Sequence, residues 1–251
     1  MYAPGGGLTS MGAPVPSALE TLVLYSDTNV RGKHDASGAF VPEARAFADY
    51  HGVYAGNVIG MRLPRVPRRK RREMVYNALA EVSKGEPRLK TVALFGHGWP
   101  DGIQFGFRRE DTPQLVAALA DACDVDVRVV LYACLAAEND VRDKQITGLG
   151  PATDGGFCDL LRDEMVRHGL DGGWVDGHKT AGHTTWNPWL VRFLCQDVDD
   201  PEAGATGGCW IVQPRSEQWR AWVEALREKE SGMRYAFPIL SRDAVHLRLP
   251  L

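Results

Sequence analysis

Five cysteines, Cys123, Cys134, Cys158, Cys195 and Cys209, stand at irregular spacings in this chain, and no two of them form a CxxC pair. An odd count without that motif argues against a disulfide framework and against a zinc ribbon, and it fits a reducing cytoplasm. No apolar run approaches the ~20 residues that a membrane helix needs. The opening stretch MYAPGGGLTSMGAPVPSA lacks the charged and apolar regions of a signal peptide, and reads as a flexible arm over residues 1–19. Charge of one sign is not in excess either. Lys and Arg number 29 against 32 Asp and Glu, a net charge of −3. The molecule as a whole therefore has no general pull toward nucleic acid or anionic membrane. There is no internal repeat.

What is present is an ordinary globular composition, 44% hydrophobic and 24% charged over 251 residues. That length buries a core with ease. It allows one large domain or two small ones, and we expect a single domain over 20–251, with 194–251 as peripheral elements. The pattern alternates short apolar runs with amphipathic stretches. Strands are predicted at 21–27, within 53–61, at 90–98, 127–134, 172–182 and 209–213. Helices are predicted at 41–52, from Pro67 to Gly85, and at 112–123, 157–170 and 216–228. In the third of these helices, Thr112 is the expected N-cap and Pro113 the first helical residue. A further extended piece is expected at 233–240, and a long loop at 137–156. Fully apolar strands alternating with helices imply an α/β fold, a mostly parallel sheet flanked by helices on both faces.

Two of the apolar runs end on reactive side chains. VALFGHGWPDG (92–102) ends on His97 between two glycines, and VRVVLYACLAA (127–137) carries Cys134 at its exit. A single helix separates these strands, so a right-handed crossover should make them neighbours. Both residues then sit at the carboxyl end of the sheet, where sites gather in such folds. A thiol attacks as its thiolate, and a nearby histidine favours that form. The same histidine can then protonate a leaving amine. The backbone N–H groups of Gly98 and Cys134 would serve an acyl oxyanion.

An apolar strand ending in His-Gly, followed by one ending in Ala-Cys, resembles the caspase-like cysteine peptidases. That group includes caspases, metacaspases, gingipains, legumains, separases and CHAT-domain proteases. The resemblance spans roughly residues 20–195 and implies a caspase/hemoglobinase-like three-layer sandwich. It implies a peptidase without a cofactor, with His97 as general base and acid, Cys134 as nucleophile and Gly98 in the oxyanion hole. It also implies that the loop after the first strand, with Asp27 and Arg31, supplies charge to the P1 pocket. The segment with Thr184, Thr185, Trp186 and Asn187 would line the substrate site. Asp27 favours a basic P1 residue, and Arg31 an acidic one. The chain departs from the caspase block Gln-Ala-Cys-x-Gly: Tyr132-Ala133-Cys134-Leu135-Ala136 stands there instead. The acidic residue of metacaspases before the cysteine is missing too. The loop at 138–156 matches the place where caspases are cut between subunits, and holds Arg142, Lys144 and Asp154.

Two further features have less direct readings. His178 and His183 lie close together, but no third ligand stands at a convincing metal spacing. The run Arg62, Arg65, Arg68, Arg69, Lys70, Arg71 and Arg72 is the strongest charge feature. It predicts an exposed loop and first helical turn whose cations oppose the helix dipole. An acidic partner or nucleic acid would satisfy them. The helix that follows is expected to carry the chain between the two ends of the sheet, leaving the run far from His97. The competing reading of the whole chain is a non-catalytic caspase-like or nucleic-acid-binding α/β module that acts through partner recognition. The sequence is silent on oligomeric state.

Overall fold

The structure, a computed structural model, describes residues 18–27, 40–84, 87–138, 156–178, 189–198, 208–210, 216–218 and 220–221. Its centre is a seven-stranded sheet. In chain order the strands are β1 (Thr21–Ser26), β2 (Val58–Met61), β3 (Leu89–Phe95), β7 (Cys123–Tyr132), β8 (Trp174–Gly177), β9 (Trp189–Leu194) and β10 (Gly208–Trp210). A small antiparallel sheet, β4 (Gly98–Trp99), β5 (Gly102–Ile103) and β6 (Phe107–Arg108), follows β3 directly. The spatial order of the large sheet is β10-β9-β8-β7-β3-β1-β2. Strands β2, β1, β3, β7 and β8 run parallel; at one edge β9 runs antiparallel to β8, and β10 antiparallel to β9.

Helix α1 (Phe40–His51) covers one face of the sheet. Helices α2 (Arg68–Val82), α3 (Thr112–Ala122) and α4 (Gly156–Arg167) cover the other. The sorting follows from strand alternation. Leu22, Leu24, Val92, Leu94, Val129 and Leu131 pack against α2–α4. Val23, Ala93, Phe95, Val130 and Tyr132 pack against Phe40, Ala44 and Phe47 of α1. The result is a three-layer α/β sandwich, the class that uninterrupted apolar strands imply.

The start of α3 differs from expectation. Asp111, not Thr112, is the N-cap residue, and the Thr112 hydroxyl donates back to the Arg109 carbonyl at 2.8 Å. The Asp111 carboxylate does not cap the helix either. It is taken by Arg72 at 2.6 Å, by Arg68 and by the Arg108 N–H at 2.9 Å. Two guanidiniums, each bringing a full positive charge, outweigh the partial charge of the helix N–H groups as partners for this carboxylate.

Among the described residues no helix is long and apolar enough to cross a membrane. Of the predicted C-terminal elements, β10 is in place at Gly208–Trp210, and 211–213 lie outside the described residues. The helix at 216–228 is described only at its start, and 233–240 lies outside the described residues.

Candidate active site

The chain enters the sheet at β1, steps outward to β2, then returns to the other side of β1 with β3. The order therefore reverses between β1 and β3, and a crevice opens at the carboxyl ends of open α/β sheets at such a point. Asp27 follows β1 there, where its N–H donates to the Met61 carbonyl at 3.1 Å, and it is exposed. His97 follows β3 on the neighbouring side.

Strands β3 and β7 keep one register from Thr91↔Arg128 to Phe95↔Tyr132, and the Gly96 N–H donates to the Tyr132 carbonyl at 3.2 Å. His97 lies two residues past Phe95, and Cys134 two past Tyr132. Both thus leave the sheet side by side, about 5 Å apart along the backbone. Phe95 and Tyr132 belong to the face under α1, and alternation carried two residues past Phe95 puts His97 on that same face. The His97 ring bears this out by meeting Phe40 edge-on, with centroids 5.2 Å apart.

The contact between the two exits requires a glycine. A Cβ on Gly98 would lie 2.6 Å from the Cys134 carbonyl oxygen and 2.7 Å from the Ala133 Cβ. The Gln104 N–H donates to the His97 carbonyl at 2.8 Å. Gly98, paired with Ile103, therefore falls at the non-hydrogen-bonded step of the β4–β5 ladder. Its N–H points away from β5.

Cys134 sits in a tight turn. Ala133 N–H bonds Leu131 O at 2.8 Å, and Glu138 N–H bonds Leu135 O at 3.0 Å. Leu135, next after Cys134, has φ 59, a left-handed value that costs a leucine about 1–2 kcal/mol. Two bonds hold the strained turn: Ala137 N–H to His178 O at 2.9 Å, and Cys158 N–H to Ala136 O at 2.8 Å. The cysteine's turn is thus tied to the end of β8 and the start of α4. Buried His178 ends β8, its ring 4.5 Å from that of Tyr132. Four adjacent strand ends accordingly carry Asp27, His97, Cys134 and His178 in that spatial order.

The cysteines divide by environment. Cys134 is half-buried, whereas Cys123, Cys158 and Cys195 are buried free thiols. Burial pushes Cys123 and Cys195 up to about 12. Burial also pushes Cys158 well up, assisted by the charges of Asp176 and Asp159. None of these three forms a thiolate readily near neutral pH.

Sequence reasoning missed Gln104. Its buried side chain accepts the His97 N–H at 3.0 Å, while its own N–H holds the His97 carbonyl. Gln104 is held in turn by Arg71, whose Nη1 donates to the Gln104 carbonyl at 3.0 Å. The available signal was a single amide side chain in the apolar stretch Gly102-Ile103-Gln104-Phe105-Gly106-Phe107.

The basic run also needs correction. Strand β2 is parallel to β1 and β3, so Arg62–Arg72 begins at the carboxyl end of the sheet, the end that bears His97. The helix leads away from that end rather than toward it. Nor are the cations all solvated. Arg68 bonds Gly106 O, Glu110 and Asp111, and Arg72 bonds Asp111. Arg71 bonds Val66 O and Gln104 O. These three brace the β4–β6 hairpin that follows His97. Arg62, Arg65 and Lys70 are exposed, and exposed Arg69 pairs with Glu73 one turn along α2.

Of the other predicted site residues, Arg31, Thr184, Thr185, Trp186 and Asn187 lie outside the described residues. So do His183 and the loop residues Arg142, Lys144 and Asp154. Among the described residues no group of three His, Cys, Asp or Glu could hold a metal ion. Comparison with family models, with curated proteins and with solved structures gives no match.

Proposed function

We propose that this chain is a cysteine endopeptidase of the caspase-like group, hydrolysing peptide bonds through a His97–Cys134 dyad. The observation that carries this reading is the shared register of β3 and β7, from which His97 and Cys134 leave as immediate neighbours. In this mechanism the Cys134 sulfur, having given its proton to His97, attacks the scissile carbonyl. The oxyanion meets the N–H groups of Gly98 and Cys134. His97 returns the proton to the leaving amine, and water then hydrolyses the acyl-enzyme. Four free thiols among the described residues support the cytoplasm as the working compartment.

Labelled iodoacetamide tests the nucleophile. Cys134 should be alkylated at least about tenfold faster than Cys123, Cys158 or Cys195, whose thiolates burial suppresses. Equal rates across the four would remove Cys134 from the mechanism.

For the P1 residue, the proposal follows Asp27, whose exposed carboxylate lies at the strand end beside that of His97. A panel of fluorogenic peptides should show faster cleavage after Arg or Lys than after Asp. Cleavage after Asp alone would transfer the pocket to Arg31.

Gln104 acts as a positioning residue for His97. Gln104→Ala leaves the half-buried His97 N–H without its acceptor, a loss of about 1 kcal/mol. We expect kcat to fall on the order of tenfold or more with KM nearly unchanged. Gln104→Glu keeps an acceptor oxygen and should recover most of that rate. Equal losses in both variants would reassign Gln104 to packing alone.

The exposed cations Arg62, Arg65 and Lys70 favour a second reading, a non-catalytic module that engages an acidic partner or nucleic acid. Salt-dependent binding lost on replacing those three with glutamine, in a protein without peptidase activity, would select it.

A further inference from the structure

We propose that the cavity beneath the β4–β6 hairpin is a binding site for a single carboxylate on an apolar body, with Arg71 as its anchor. The cavity has a volume of about 310 Å³ and lies between the first turn of α2 and the hairpin. Ile103 and Phe107 give it apolar walls, and Trp99, with about half of its surface exposed (49%), adds an indole.

The charge around this space is unbalanced. Arg68 pairs with Glu110 and Asp111, and Arg72 with Asp111. Arg71 lines the cavity and differs from both. It donates Nε to the Val66 carbonyl at 2.8 Å and Nη1 to the Gln104 carbonyl at 3.0 Å. Among the described residues no carboxylate pairs with it, and its Nη2 makes no bond. Burial holds its guanidinium below the ordinary arginine value, with no anion to offset that effect. Arg68, Arg71, Arg108 and Asp101 line the cavity, and Arg72, Glu110 and Asp111 join them through the ion pairs of Arg68 and Asp111, so four cations stand with three carboxylates and one positive charge is left over.

A half-buried cation answered only by neutral carbonyls is costly, and a carboxylate accepting from its free nitrogen relieves that cost. A surplus of one charge suits a monoanion. A polyphosphate or a nucleic-acid backbone would bring several charges to a site that can neutralise one. The indole offers apolar surface to the body of the ligand. None of this depends on the peptidase reading. The carboxylate can come from a free small molecule or from an acidic side chain of a peptide, and the two are separated by experiment.

Calorimetric titration of the full chain with phenylacetate, with N-acetylglutamate α-amide and with inorganic phosphate provides the test. At least one of the two carboxylates should bind saturably and more tightly than phosphate. Tighter phenylacetate binding identifies a free aromatic acid as the ligand class, and tighter binding of the glutamate derivative identifies a peptide side chain. Arg71→Gln should weaken the better ligand at least about tenfold, and Trp99→Ala about threefold or more. No saturable carboxylate binding, or phosphate binding as tight as either carboxylate, overturns the proposal. So does undiminished binding in folded Arg71→Gln. Should Arg71→Gln fail to fold, Trp99→Ala decides, because its indole is half exposed: undiminished binding there overturns the proposal as well.

Discussion

Cys134→Ala is expected to abolish peptide hydrolysis while leaving the fold intact. On the proposed mechanism the sulfur forms the covalent bond, and its loss should lower kcat on the order of 10⁴-fold or more. The side chain is half-buried at a strand exit, outside both clusters of buried core residues. Its truncation to a methyl should cost about 1 kcal/mol or less, a shift of about 2–4 °C in Tm. His97→Ala should lose a comparable factor. Residues that act as one unit do not add, so the double variant should be little worse than either single one. Multiplicative losses would mean that the two side chains act separately. Full activity in Cys134→Ala, with the protein folded, would refute the dyad.

Asp176→Asn should produce the largest loss of stability. Asp176 is fully buried on β8 between two arginines on flanking strands. Arg128 Nε donates to it at 2.7 Å, Arg192 donates at 2.8 and 3.0 Å, and the Trp174 indole N–H adds a bond at 3.2 Å. Removing the carboxylate's charge takes from both guanidiniums a fully buried counter-charge. A loss of about 3–5 kcal/mol is expected, a fall on the order of 10 °C in Tm. The pH dependence has a defined sign. Burial by itself would raise the Asp176 pKa, but the charges and hydrogen bonds of Arg128 and Arg192 outweigh it and hold the pKa below the usual carboxylate value. A depressed folded-state pKa means stability that is present above about pH 4 and lost as pH falls through the folded value. Urea unfolding at pH 7 and at pH 3 measures both effects. The wild type should lose stability between the two pH values by more than the variant does. A variant as stable as wild type at pH 7 would show that the network contributes nothing net.

How far the sequence could be read is clear at particular elements. The runs TLVLYSD, KTVALFGHG and VRVVLYAC were legible as buried strands, because strands covered on both faces need no polar alternation. The adjacency of β3 and β7 was legible too, since one intervening helix and the right-handed crossover leave few arrangements. The site beyond His97 and Cys134 was not. Nothing local in Gln104 announces that it holds the His97 backbone, because that bond depends on how the β4–β5 hairpin folds back. The cap of α3 was misread for the same kind of reason: Thr112 has good local chemistry, but Asp111 is claimed by arginines about forty residues earlier.

Composition and pattern alone thus determined an α/β sandwich, its principal strands, and a histidine and a cysteine at neighbouring strand exits. Those properties follow from burial and periodicity, which are written along the chain. Tertiary structure decided what the arginines do, which thiols are suppressed, and where the order of strands reverses beside His97. Each of these depends on groups distant in sequence meeting in space. A guanidinium in a run of basic residues reads as solvated, and only its neighbours in the fold show whether a carboxylate, a carbonyl or a cavity stands against it.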